Sequence, residues 1–531
     1  MELKKEQIHL EKEYPAVPSQ FALEEDIIIP DQKPDILEVL LHKSTLLITG
    51  FRITEQHVNI SGIFRYCILY TPEDDPSTMD ALHGEIPIEE AVFMDGIENT
   101  DLVQVNANVE DMTVRIINSR KCNLHALISL NVVKSEIYDE EIPLDIVCDA
   151  PAFSPFADET DNCPDSTITQ TCPMNYMELC TFKKDICRIH EEVKLPDSFP
   201  NIASILWNHV AMNDVEIVPA QGQINFSCNL QIFFLYLCQG EERAIRYLET
   251  TIPYQTALEC PGSEANYIPN INFLLTSSNF DIHNDSDGEP RSVSIDQVFD
   301  FHIRLYQEKT ISCLTDLYDC KKKCLLTRKN VRIPSLCTHS FTRCTVKGTA
   351  TPNKKTESSM QLIYPSCHLI TDTPLIQDDN ITITGFLEVQ ALYVENQDTP
   401  VYSSLPAKIP FQHTIAISDI CSDALSAISV NLDKVSITSV SNKELEIKAN
   451  VCYEVLVHSA EEKNIICEIN CVDYDKDQEN ELPGMLIYFV RSGDTLWDIG
   501  KTYRIPTEEI KRENELNSEL LSPGQKLLLI R

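Results

Sequence analysis

The sequence predicts a mainly β protein: tandem β-sandwich-like modules followed by a small βααβ unit at the C-terminal end. Three observations carry this expectation. Apolar residues alternate with polar ones, or form short β-branched runs, through most of the chain, while proline is common at 29 residues and glycine scarce at 14. A residue pattern returns at a fixed offset, which is the mark of repeated units. The final stretch, residues 487–531, changes to helical spacing between two short β-prone runs.

Length and charge bound the rest. A chain of 531 residues exceeds one hydrophobic core, and that size suggests roughly three to five domains. Lys and Arg total 43 against 82 Asp and Glu, a formal charge of −39. Such a balance argues against nucleic acid or an anionic membrane surface as a partner. The opening MELKKEQIHLEKEYPAV is charged throughout and does not read as a signal peptide. No stretch approaches the ~20 apolar residues of a membrane span, and the longest apolar run, Leu230 to Cys238, has the length of a strand. The expected compartment is a cytosol.

In chain order, Ile28-Ile29-Pro30-Asp31-Gln32-Lys33-Pro34-Asp35-Ile36 returns as Lys194-Leu195-Pro196-Asp197-Ser198-Phe199-Pro200-Asn201-Ile202, an offset of 166. At that offset Asn59 meets Asn225, Tyr70 meets Tyr236, and Ile86-Pro87 meets Ile252-Pro253. A third copy pairs Val58-Asn59-Ile60-Ser61-Gly62 with Ile381-Thr382-Ile383-Thr384-Gly385 at an offset of 323 but lacks the Pro-Asp-x-x-Pro opening. Within the first copy, Leu46–Thr54, Gln56–Tyr70, Glu85–Val92, Val103–Asn118 and Cys122–Lys134 read as strands. A short helix is expected between Pro30 and Leu41, where Ile36, Val39 and Leu40 share a face. Gly62 and Gly385 fall inside strand patterns and point to a bulge or a close backbone approach. The division expected is 1–150, 185–320 and 321–472 for the three repeats, with 151–184 an acidic linker containing Pro and Cys. A charged tether, 473–486, leads to the terminal unit and would let it reach a partner independently of the body.

A search for chemistry is unproductive. No GxSxG, HExxH, P-loop or GxGxxG occurs in a strand–turn–helix context. The 20 cysteines include no CxxC; they read as thiols in a reducing compartment. A zinc site on Cys313, Cys320, Cys324 and Cys337 or late oxidative cross-linking are the alternatives, and no metal site is assigned. His339 beside Cys337 and Cys344 is the expected chance proximity of a Cys-rich chain, and carboxylate pairs such as Glu89/Glu90 read as solvated. No cofactor and no catalytic residue is expected, so the chain does not read as an enzyme.

The C-terminal unit is the most specific stretch. Tyr488–Val490 is a short strand, and Ser492-Gly493-Asp494 a turn. Asp494 or Thr495 caps a helix from Leu496 to near Tyr503, whose apolar Leu496, Ile499 and Tyr503 share a face. A second helix follows Pro506-Thr507, and a Pro523-Gly524 turn leads into Lys526–Ile530. The order YxVxxGDTLWxI…Y…I…N…L…L.PGQ.L.I closely resembles the LysM domain. The opening IIPDQKPDIL and the strand carrying Asn59-Ile60-Ser61-Gly62, Tyr66 and Tyr70 are similar to the SPOCS module of endospore-forming bacteria. SPOCS modules followed by one LysM domain resemble the SipL family of clostridial spore-coat morphogenetic proteins.

That resemblance implies a mother-cell protein accumulating at the forespore surface, where it tethers the coat through the basement-layer ATPase, stage IV sporulation protein A. It also implies a ligand groove between two loops, one carrying Gly493, Asp494, Thr495 and Leu496, the other Asn517, Ser518, Leu520, Leu521, Ser522 and Pro523. LysM domains generally bind N-acetylglucosamine polymers, so peptidoglycan or a chitin-like glycan is the alternative partner, and self-association of the repeats a further one. Trp497 is expected to pack the small core rather than stack on sugar. This copy departs from the usual pattern at Gly500, where Ala is common, and at Arg504, where Gly is common. Arg504 takes the place of a favoured helix C-cap residue. A scaffold leads, a wall-binding protein is second, and an enzyme anchored by a LysM domain is third for want of a catalytic constellation.

Overall fold

The structure is a computed structural model. It describes residues 1–147, 166–240, 244–351, 360–377, 379–395, 400–417, 425–441, 444–474 and 483–531. Each of three units is built from two antiparallel sheets. In the first, β1 (Glu2–Glu13) and β2 (Val17–Ile28) precede the meander β3 (Ile36–Thr54), β4 (His57–Pro72) and β5 (Asp80–Phe93), and then β6 (Leu102–Asn118) and β7 (Lys121–Val147). One sheet is β3-β4-β5; in the other β7 pairs with β1, β2 and β6. Pro15 lies between β1 and β2, which together run along β7. A proline cannot donate to the ladder, so the long strand divides there.

The second unit keeps that strand whole as β8 (Thr167–Lys194) and continues through β9 (Ile202–Ala220), β10 (Gln223–Cys238), β11 (Ile245–Glu259), β12 (Ile268–Asn284) and β13 (Pro290–Asp319). Its sheets are β11-β10-β9 and β12-β13-β8. The third has β14 (Lys322–Ala350), then β15 (Met360–Thr371) and β16 (Leu375–Gln377), then β17 (Asn380–Glu395), β18 (Val401–Ala416), β19 (Leu425–Ser441) and β20 (Glu444–Asp473). Here β14-β20-β19 faces a sheet in which β17 pairs with β15, β16 and β18.

Strict alternation makes each unit a sandwich. From Cys122 to Val132 every second residue of β7 is buried. Leu124, Ile128 and Leu130 join Val58, Ile60, Phe64 and Tyr70 of β4 in one core. The equivalent cores join Phe226, Ile232 and Phe234 to Phe301 and Ile303 in the second unit, and Ile381, Leu387 and Val389 to Val451 and Tyr453 in the third. A Cβ on Gly62 would meet the Leu47 carbonyl oxygen at 2.8 Å, beside a register shift between Ile48 and Gly50. Gly385 faces the Ile370 carbonyl in the same way, so both are places of close backbone approach.

The repeat signature has a structural cause. Lys33 N–H bonds to the Pro30 carbonyl and Phe199 N–H to the Pro196 carbonyl, both at 2.9 Å, closing a turn in each of the first two copies. Tyr70 and Tyr236 donate to the carbonyls of Pro34 and Pro200 at 3.1 and 3.2 Å. An arginine from the neighbouring hairpin clasps the same turn. Arg120 donates to the Lys33 and Ile29 carbonyls, and Arg291 to those of Phe199 and Pro196. This clasp displaces the helix expected between Pro30 and Leu41: the chain leaves the turn directly into β3. In the third copy residues 352–359 lie outside the described residues.

One expected linker is also revised. Residues 167–184 belong to β8 rather than to an acidic linker, since Met174, Tyr176, Met177 and Leu179 are buried there; the preceding part of that linker lies outside the described residues. So does most of the charged tether after Tyr474.

Paired long strands carry each unit beyond its sandwich. The pairs β1/β7, β8/β13 and β14/β20 meet in a shared core of Ile8, Leu10, Ile142, Met174, Tyr176, Ile311, Val331, Ile333 and Ile465. A further layer, Ile146, Leu314, Leu317 and Ile466, lies closer to the ends of β7 and β13. The first strands of the meanders meet in a second shared core, where Leu41, Trp207 and Tyr364 come together. Between them Arg304 reaches Glu11 at 3.0 Å and Gln104 at 2.9 Å, while Tyr306 donates to Glu11 at 2.5 Å. A buried charge pair is tolerated when its remaining polar atoms are bonded in this way. Among the described residues no helix is long and apolar enough to cross a membrane, and no group of three or more His, Cys, Asp or Glu could hold a metal ion.

Candidate binding module and its docking face

The C-terminal unit is β21 (Met485–Phe489), α1 (Leu496–Tyr503), α2 (Thr507–Glu513) and β22 (Lys526–Ile530). Its core is Val490, Leu496, Ile499, Ile505, Ile510, Leu527 and Leu529. Thr495 is the N-cap of α1. Its hydroxyl oxygen accepts from Asp498 N–H at 3.1 Å and its proton goes to the Asp498 carboxylate at 2.6 Å, which satisfies a donor the helix leaves open. Asn514 ties α2 to β22, donating to the Ile510 and Leu528 carbonyls and accepting from Leu528 N–H.

The ten residues expected to form the groove fall into two groups. Gly493, Asn517, Ser518, Ser522 and Pro523 are exposed, and Leu520 is 87% exposed. Thr495 is exposed too, although its hydroxyl is engaged by Asp498, and Asp494, Leu496 and Leu521 are committed internally. Asp494 accepts from Tyr488 Oη–H and Arg491 N–H, both at 2.7 Å, and these two bonds hold its carboxyl below the usual range. Leu521 packs against the core, and Leu496 is 3% exposed. Leu496 is therefore a core residue and not a ligand contact. Val490 brings the two loops side by side, donating to the Gln525 carbonyl at 2.9 Å and accepting from Gly524 at 2.8 Å. With the side chains of Asp494 and Thr495 engaged, the first loop offers a ligand mainly backbone groups.

The opposite side of α1 is occupied by the body. Trp497 Nε1 donates to Asp316 Oδ2 at 2.9 Å, and Lys501 Nζ reaches both Asp316 oxygens, at 2.8 and 2.6 Å. Tyr318 donates to the Ile505 carbonyl at 2.8 Å, and its ring meets Trp497 edge-on at 5.1 Å. Burial opposes ionisation of Asp316, but the Lys501 and Trp497 bonds outweigh it and keep the carboxyl below its ordinary value. Trp497 thus packs against the second repeat and not in the small core, contrary to expectation.

The two departures from the usual pattern lie on this same face. A Cβ on Gly500 would meet the Tyr318 hydroxyl at 2.6 Å and the Ile505 carbonyl at 2.8 Å. Arg504 sits in the left-handed region at φ 61° and caps α1 through its N–H to Gly500. That conformation costs on the order of 1 kcal/mol for a residue with a Cβ. Its guanidinium lies 3.4 Å from the centroid of the Tyr474 ring, a cation–π contact that glycine could not make. Trp497, Gly500, Lys501 and Arg504 recur at i, i+3, i+4 and i+7, one stripe of the helix. Asp316, Tyr318 and Tyr474 carried no sequence signal; the odd residues at 500 and 504 were the trace of the contact.

Comparison with known proteins agrees with this architecture. The SipL SPOCS-domain model matches residues 35–117, 201–283 and 363–440, and the LysM-domain model residues 488–529. The uncharacterized protein YkzQ of Bacillus subtilis (strain 168) is 46% identical over 39 residues, 7% of this chain and 52% of that protein. The chain thus spans about half the length of that relative. No solved structure matches the chain. Three successive SPOCS domains and a terminal LysM domain make this chain a SipL-type protein.

Proposed function

We propose that the chain is a non-enzymatic scaffold of endospore envelope assembly. In this reading its LysM domain recruits a coat-morphogenetic partner, an ATPase like stage IV sporulation protein A, at the forespore surface from the mother-cell side. The observation that carries it is the docked module. Contacts of Asp316 and Tyr318 hold α1 on the body, while the loop around Leu520 remains exposed. A module so placed presents a binding surface in a fixed relation to three packed repeats, as a scaffold requires. Charge supports it too. Residues 483–531 contain seven basic and seven acidic side chains, so the formal −39 resides in the rest of the chain. A partner meets no net repulsion at the module itself.

The second reading, an N-acetylglucosamine-polymer binder acting on peptidoglycan, is favoured by the LysM match itself. A single LysM domain lacks the avidity that several copies supply. Neither domain family is known for catalysis, which supports a non-enzymatic role. The two readings separate when the full chain is titrated against insoluble peptidoglycan and against the coat ATPase in parallel. The proposal expects saturable binding to the ATPase that weakens on Leu520→Ser with folding intact. Binding to glycan alone would overturn it and move the chain to the wall-binding class.

A further inference from the structure

The long strand pairs that carry each unit past its sandwich also set cysteines opposite one another. Cys172 of β8 faces Cys313 of β13, and Cys324 of β14 faces Cys471 of β20, each directly across an antiparallel ladder. Directly opposed residues have Cα atoms about 4.5–5.5 Å apart, inside the range of about 4.4–6.8 Å that a disulfide spans. The backbone thus permits a bond at both places, and the side chains decide between them. Cys172 is exposed and Cys313 buried, and each sulfur turns to a carbonyl of its own strand, Pro173 and Leu314. The Cys324 and Cys471 sulfurs instead meet, as free thiols 3.4 Å apart.

Both of these cysteines are half-buried. Cys324 packs with Leu3 and Leu326 against the layer of Ile146, Leu314, Leu317 and Ile466, and Met1 Sδ lies 3.5 Å from the Cys471 sulfur. The pair stands next to the docked module. Pairing of β14 with β20 ends at Lys322 and Asp473, two residues beyond the cysteines, and the following residue is Tyr474, which receives Arg504. On the other strand, Asp319 accepts from Lys321 and Lys322 N–H at 2.7 and 2.8 Å. These bonds tie the start of β14 to the end of β13, which carries Asp316 and Tyr318. Since the last pairs of a ladder open most readily, the cysteines sit where the position of Tyr474 relative to Tyr318 is decided.

We propose that Cys324 and Cys471 are a redox-sensitive pair, oxidised by a peroxide to a cross-strand disulfide that staples the end of β20 to β14 and holds Tyr474 against Arg504. Burial, and then the bond with Cys471, raises the pKa of the Cys324 thiol, so Cys324 keeps its proton and Cys471 is the attacking sulfur. The Cys471 thiolate attacks one peroxide oxygen, and the O–O bond breaks. Cys471 becomes a sulfenic acid, and the departing hydroxide leaves as water with the proton the thiol gave up. The Cys324 sulfur then attacks the sulfenic sulfur, the S–O bond breaks, and the hydroxyl leaves as a second water with the Cys324 proton. Two thiols thus lose two electrons and two protons, and one peroxide becomes two waters.

The test treats the reduced full chain with an equimolar amount of hydrogen peroxide and maps its peptides by mass spectrometry without reduction. The expected product is a Cys324–Cys471 link, lighter by the two hydrogens lost, that forms ahead of any other change among the 20 cysteines and is reversed by dithiothreitol. Cys324→Ser should prevent it and leave Cys471 as a sulfenic acid that dimedone traps. Hydrogen exchange then compares oxidised with reduced wild-type chain, so this readout depends on no variant folding. Amides at Tyr474 and in α1 should exchange severalfold more slowly in the oxidised protein. A different pair linking first, oxidation of Cys471 without linkage in the wild type, or equal exchange in the two states would overturn the proposal.

Discussion

The two sides of the LysM domain make different use of similar residue types. On the docked side of α1, polar side chains point outward and find partners in the body: Trp497 and Lys501 on Asp316, Arg504 on Tyr474. On the loop side, Asp494 and Thr495 bond within the module, leaving Leu520 and backbone groups for a ligand. The lesson is that a signature position reports the module's own fold, while a departure from the signature reports its neighbour. Gly500 and Arg504 fit the pattern less well than the residues around them, and both are explained by the second repeat and the end of β20.

Substitutions can break this contrast at several strengths. Leu496→Ala should cost about 2–5 kcal/mol, because Leu496 is 3% exposed in the module's core. A scan should show the LysM domain melting apart from the repeats, and any lost binding would then reflect unfolding. Gly500→Ala places a methyl against the Tyr318 hydroxyl; overpacking of this kind costs about 1–3 kcal/mol. Faster hydrogen exchange in α1 and near Tyr318, with the repeats unaffected, is the expected readout. Asp316→Ala strands the Trp497 and Lys501 donors, a loss of about 1–3 kcal/mol, and should release the module without unfolding it.

Acid sharpens the same point. The Asp316 carboxyl is held below its ordinary 3.8 in the docked state. Its contribution is therefore complete above that pH and disappears as pH falls through the lower, docked value. Docking should persist at pH 5 and weaken below pH 3.8, and the Asp316→Ala chain should lack this step. The smallest effect on stability belongs to Leu520→Ser. At 87% exposure it should shift unfolding by no more than about 0.5 kcal/mol, while weakening partner binding on the loop side.

What could be read in advance was local. The Pro-Asp-x-x-Pro turns and the Tyr70/Tyr236 correspondence were visible because each turn, its tyrosine and its strand lie within some forty residues. The βααβ order was visible because capping and helical spacing are short-range. β1 was missed because ELKKEQIHLEKE buries little besides Ile8, Leu10 and Glu11, too few apolar positions for a strand pattern. The helix expected after Pro30 failed because Arg120, from a hairpin adjacent in space but remote in sequence, claims the turn's carbonyls. The docking face was hidden for the same reason: Asp316 and Trp497 are 181 residues apart, and nothing in either segment alone indicates the other.

The chain has two tryptophans, so Trp207→Phe leaves Trp497 as its sole indole reporter. Acrylamide quenching of that variant, with and without Asp316→Ala, tests the docked arrangement most directly. The account predicts that Trp497 is shielded in the first protein and becomes freely quenched in the second. Equal, ready quenching in both would mean that the LysM domain does not rest on the second repeat, contradicting the account at its centre.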